Sequence, residues 1–268
     1  MSQQFTEERA LWLYRHYRWL EDHLPVRKSP ARTTLVVPTG KFFPDPYAAD
    51  HGSAEMLFHR VKSLMGMEAW NCRFEQRRDE EKEMRDDLAK SGVMGRFSSK
   101  GAAGTFSMSS DQEVVISYSA SSLRDPSALI ATFAHELCHY LLAVVEEEPP
   151  ATWQELEPLT DLSAVLEGFG LFLCNTAFQF KQWTSFDKQG WSYSRKGYLT
   201  EAELGFSLAI FCIRNQLDAG LAARALKPNP REVFCDALDY IADLEEAHSA
   251  LLSATSAPPR FDSSKVLT

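Results

Sequence analysis

The sequence predicts an α+β chain, mainly helical, with a small N-terminal β-sheet preceding one buried helix and a helical C-terminal part. Three observations predict it. Long segments place apolar residues at the three-and-four spacing of a helix face. Only a few short segments are rich in β-branched and aromatic residues. The strand-like segments all precede the most apolar helical segment, with no later strand–helix alternation.

Residues 5–24 read as an amphipathic helix rich in Trp, Tyr and Leu, ended near Pro25; its His16, like His248 far downstream, reads as a helix-surface residue. TTLVVPTG is a short β-rich run, and FFPDPY after it forms turns. Residues 53–66 have helical spacing, and residues 70–74 have strand character. Residues 75–100 are charged, then Gly- and Ser-rich, and read as a mobile excursion, with a solvated helix over EEKEMRDDLAK as the alternative. GTF (103–106 region) and EVVISY (113–118) make a strand pair around SMSSDQ. Asp125-Pro126 is a helix-start signal, with Asp as cap and Pro in the first turn, for a helix over 126–146. A second long helix is expected over 155–180, with Gly168 and Gly170 inside it. Residues 181–199 are a loop, and helices come next over 200–218 and 230–248. No linker or repeat divides the chain. One domain is expected over 1–253, with a flexible Ser- and Pro-containing tail at 254–268.

Composition narrows the partners. The formal net charge is −9, which opposes non-specific nucleic-acid binding and gives no attraction to anionic lipid. No segment is apolar for the roughly 18 residues a membrane span needs, and the first 25 residues lack the pattern of a signal peptide. The five cysteines are widely spaced, odd in number and without a CxxC pair. Free thiols in a reducing cytoplasm are the expectation.

The chemistry concentrates in His135-Glu136-Leu137-Cys138-His139. On a helix, residues i and i+4 share a face, so two imidazoles can meet one metal ion. Zinc is the expected ion. Glu136 sits one step from the first ligand, placed to accept a proton from water made acidic by the metal and to return it to a leaving amine. The flanks, LIATFA and YLLAVV, are apolar, so the helix is expected to be buried and its polar groups to need partners. Cys138 reads as a small buried apolar residue. A third ligand comes from Glu157-Pro-Leu-Thr-Asp161, where Glu157 and Asp161 again share a helical face. Glu157 is assigned to the metal and Asp161 to the distal nitrogen of a ligand histidine. The reverse assignment stays open, with Glu155 and Glu167 as weaker candidates. For a donor to a developing oxyanion, the candidates are Tyr193, Arg195 and Tyr198; Tyr198 is favoured because GYL opens the next helix.

HELCH followed by ExxxD resembles the gluzincin metallopeptidases. The resemblance covers residues 135–139 and 157–161 and loosely the helices around them. It implies a zincin-like fold, a Glu on a second helix completing the zinc site, and an Asp supporting a ligand histidine. A wider resemblance, to uncharacterised bacterial proteins, is carried by FFPDPY, MGMEAWNC, DPSALIATFAHELCHY, EPLTDLSAVLEGFG and GYLTEAELGFSLAIF. In gluzincin-like enzymes a strand before the zinc helix pairs with extended peptide. EVVISY takes that sequence position, as an edge strand or as an ordinary core strand.

The expected function is a zinc-dependent hydrolase, a metallopeptidase acting on a peptide or protein substrate. The alternatives are a zinc-stabilised binding or regulatory protein without turnover, and a zinc hydrolase of non-peptide amides.

Overall fold

The computed structural model describes residues 6–25, 34–77, 104–108, 114–185 and 198–243. They form a mainly helical α+β arrangement with one small three-stranded sheet. The expected tail and most of the charged excursion lie outside the described residues.

The N-terminal helix α1 (Glu7–His23) starts where the Thr6 hydroxyl accepts the Arg9 N–H. Its buried side includes Leu13, Tyr17 and Leu20. His16 is buried rather than at the surface. Its ring stacks on Trp12, and its two nitrogens lie 2.7 and 2.9 Å from the carbonyl oxygens of Trp12 and Pro150. Residues 34–37 join no strand, contrary to the β reading of TTLVVPTG. Leu35 and Val36 bury their side chains, and the Val36 N–H donates to the Gly168 carbonyl at 3.0 Å. Helix α2 (His51–Met65) comes next, closed at its start by an Asp50–Ser53 capping box.

The sheet has the order β1-β3-β2. Strand β1 (Arg73–Arg77) begins three residues later than the spacing predicts, because the Trp70 N–H turns back to the Met67 carbonyl. Strands β2 (Gly104–Met108) and β3 (Val114–Ser119) are the expected antiparallel pair, with Phe106 opposite Ile116. β1 runs parallel to β3 on its other side, so EVVISY is the central strand and β2 lies at an edge of the described sheet.

Helix α3 (Pro126–Ala143) begins as expected. Asp125 accepts the Ala128 N–H at 3.0 Å, and Pro126 occupies the first turn. It ends at Ala143, three residues short of expectation, where the Val144 N–H bends back to Leu141. Leu129, Phe133, Ala134, Leu137, Cys138 and Leu141 are fully buried. The helix is apolar almost all round because it lies between layers, with β2, β3 and α2 on one side and later helices on the other. Phe133 meets Phe58, Phe74 and Tyr118 edge-on at 5.4 to 5.9 Å, which ties α3 to α2 and to two strands.

The expected helix over 155–180 is three pieces. A Thr152–Glu155 capping box precedes α4 (Leu156–Ala164), a π turn spans Val165–Phe169, and α5 (Gly170–Ser185) continues. Gly168 has φ +95°, which breaks the α geometry. Helix α6 (Glu201–Arg214) stops before residue 218, and a turn through Gln216 at φ +53° leads into α7 (Ala219–Ala225) and α8 (Pro228–Asp243). All five cysteines are free. No helix among the described residues is long and apolar enough to cross a membrane.

Gly168 is the least replaceable backbone position here. A Cβ there would collide with the Thr34 carbonyl oxygen, in a conformation that side chains disfavour. The Gly168→Ala variant is expected to lose about 1–3 kcal/mol from the backbone conformation alone, with the collision added. Chemical denaturation measures it, and an unchanged midpoint would contradict the π-turn geometry.

Candidate metal centre

Helix α3 and helix α4 pack side by side, and each contributes to one cluster. His135 and His139 stand one turn apart on α3, with Nε2 atoms 3.1 Å apart. Glu157, in the first turn of α4, places Oε2 3.2 Å from His135 Nε2 and 3.6 Å from His139 Nε2. These three atoms make a nearly equilateral triangle. A tetrahedral zinc ion with bonds of about 2.0–2.1 Å holds its ligand atoms about 3.3–3.4 Å apart, so the triangle has the size zinc requires. Among the described residues this is the group of His, Cys, Asp and Glu side chains that can hold a metal ion.

The hydrogen bonds behind the triangle decide where the lone pairs point. His135 Nδ1 lies 2.8 Å from Asp161 Oδ1. A carboxylate only accepts, so Nδ1 donates, and the His135 Nε2 lone pair faces the Glu157 carboxylate. Two acceptors at that separation repel unless a cation lies between them. In the metal-free protein the cation is a proton. Burial pushes His135 down, but the Asp161 and Glu157 carboxylates outweigh it and hold its pKa well above the usual value. Burial likewise pushes Glu157 up, and the two histidines outweigh it and hold it well below the ordinary carboxylate range.

Glu136 is 2% exposed and stands outside the triangle. Burial raises its pKa, with the histidine charges opposing. Its Oε2 is buried with no hydrogen-bond partner. The side chains of His139 and Glu157 are 15% and 26% exposed, so the cluster reaches solvent on their side.

Of the two carboxylates of ExxxD, Glu157 joins the triangle. Asp161 stands behind His135, and its second oxygen accepts the Leu199 N–H at 2.9 Å. That bond anchors the residue next to Tyr198, whose half-buried ring lies 5.4 Å from the His135 ring. Tyr193 and Arg195 lie outside the described residues. Glu155 is occupied by capping, accepting from the Thr152 N–H and hydroxyl at 2.9 and 2.8 Å. Glu167 is buried in the π turn and is not part of the triangle.

Two neighbours of the cluster are not singled out by the sequence. Phe106 of β2 stacks 6.0 Å from His139, a contact between elements that no local spacing encodes. Thr160, fully buried, puts Oγ1 3.3 Å from His139 Nδ1. Its place on the Glu157–Asp161 helix face is the one clue to it. A separate cavity of about 300 Å³, bordered by Phe43, Met56, Arg60, Ile130 and Phe172, contains none of the cluster residues.

The carboxylates that raise the His135 pKa favour its doubly protonated form, which a zinc ion would have to deprotonate, so zinc affinity would climb with pH. Calorimetric titration in buffers of different ionisation enthalpy is expected to show net proton release on zinc binding. Binding without proton release would contradict this charge arrangement. Compared with known proteins, the chain matches no family model, no curated protein and no solved structure.

Proposed function

We propose that His135, His139 and Glu157 bind one zinc ion and that the chain is a zinc-dependent hydrolase, a gluzincin-type metallopeptidase with a zincin-like fold. The observation that carries this reading is the convergence of three ligand atoms at zinc spacing beside the unpaired, buried carboxylate oxygen of Glu136. A zinc ion held there supplies Lewis-acid polarisation of a carbonyl and acidifies water.

The protein's own groups supply the rest. Glu136 has an unpartnered buried oxygen, and burial raises its carboxyl above the ordinary carboxylate range. Such a group suits general-base work on an attacking water and then general-acid work on the leaving amine. Tyr198, held through Leu199 and Asp161, is the candidate donor to the developing oxyanion. The edge strand β2 borders the cluster through Phe106, and an extended peptide can pair along such an edge. This shifts the peptide-pairing role from EVVISY to β2. The free cysteines fit a reducing cytoplasm.

A zinc-stabilised binding protein without turnover would close the metal with a fourth protein ligand. Asp161, the nearest spare carboxylate by sequence, has one oxygen engaged by His135 and the other by Leu199. That engagement favours the hydrolase.

The Glu136→Gln variant tests the reading directly. It is expected to bind one zinc ion as the wild type does and to lose peptide hydrolysis by about 10²–10⁴-fold or more. Zinc content and cleavage of a peptide mixture, read by mass spectrometry, give both quantities. Undiminished cleavage by this variant would overturn the mechanism.

A further inference from the structure

We infer that Thr160 is the positioning residue that fixes the tautomer of His139, so that one helix turn of α4 sets both ligand histidines. The inference rests on the zinc reading of the cluster but reaches beyond it, to a residue outside the ligand set.

The Thr160 hydroxyl donates to the Leu156 carbonyl one turn back, at 2.7 Å. A hydroxyl has one proton, so Oγ1 offers His139 Nδ1, at 3.3 Å, a lone pair. His139 therefore carries its proton on Nδ1 and turns a bare Nε2 toward His135 and Glu157. Thr160 is itself fully buried, so its hydroxyl is held against α3 rather than in solvent. The adjacent Asp161 does the same for His135 through Nδ1 at 2.8 Å.

The two supports differ in kind. Asp161 brings a negative charge and adds basicity to its histidine; Thr160 is neutral and contributes orientation alone. Together with Glu157 they place one ligand and two tautomer-setting groups at positions i, i+3 and i+4 of a single helix face. Without Thr160, His139 is free to protonate Nε2, the tautomer stabilised by the nearby Glu157 carboxylate, and that form has no lone pair for a metal.

Three proteins test this: wild type, Thr160→Val, which keeps the shape and removes the hydroxyl, and Thr160→Ser, which restores the hydroxyl. Two quantities are read, zinc affinity by chelator competition and the histidine ring-nitrogen NMR shifts of the metal-free protein in alkaline solution. The valine variant is expected to bind zinc about 10–100-fold more weakly and to show His139 shifted away from the Nδ1–H tautomer. The serine variant is expected to match wild type in both. Equal zinc affinity in wild type and the valine variant, with His139 still in the Nδ1–H form, would overturn the inference. So would a wild-type His139 protonated on Nε2, which needs no variant to fold. If wild type binds no zinc, the zinc reading fails by itself, and the tautomer comparison still decides the role of Thr160.

Discussion

A single buried carboxylate, that of Asp161, joins the parts of the protein on which the rest is arranged. One oxygen accepts a hydrogen bond from His135 Nδ1 on α3 and the other accepts one from the backbone N–H of Leu199 ahead of α6. An ionised carboxylate in the interior is costly unless each oxygen finds a strong donor. Here both donors come from segments remote in sequence, so the cost is offset only when α3, α4 and the start of α6 are all in place. Satisfying this carboxylate therefore requires all three segments together.

The surrounding packing makes this arrangement tolerable. A helix bearing two histidines and a glutamate is a poor candidate for the interior, yet α3 is buried almost throughout. Its other positions compensate. Phe133 anchors it edge-on to rings from α2, β1 and β3, and Leu129, Leu137 and Leu141 are fully enclosed. Each such side chain contributes about 1.5–3 kcal/mol on burial. Against that background the unpaired oxygen of Glu136 stands out. A leucine in the same place would not carry that desolvation cost.

Where a local rule governs, the sequence was legible. The Asp125-Pro126 start of α3, the shared face of His135 and His139, and the β2–β3 pairing follow from capping, helical spacing and alternation. Where partners come from far away, it was not. EVVISY reads equally well as an edge or a centre until β1 is known to pair beside it. Residues 34–37 look like a strand because Leu35 and Val36 are apolar, but their backbone meets a helix break instead of a neighbouring strand. His16 looks like a surface residue because its acceptor on Pro150 lies 134 positions away. Thr160 escapes notice because threonine in a helix ordinarily does no more than bond the preceding turn, which it does here as well.

The π turn at Val165–Phe169 has a consequence for how the two halves of this segment are oriented. Each extra residue in a helix rotates the residues after it by about 100°, and a π turn carries one residue more than an α turn needs. Gly168 at φ +95° adds a kink inside this turn, so α5 does not simply prolong the face of α4 that presents Glu157, Thr160 and Asp161, and Leu171, Phe172, Leu173 and Cys174 are all buried beyond it. The segment behaves as a crankshaft: its length in residues between Ala164 and Gly170 is fixed by rotation rather than by reach. Insertions and deletions are accordingly least tolerable here, although no residue of the turn belongs to the triangle.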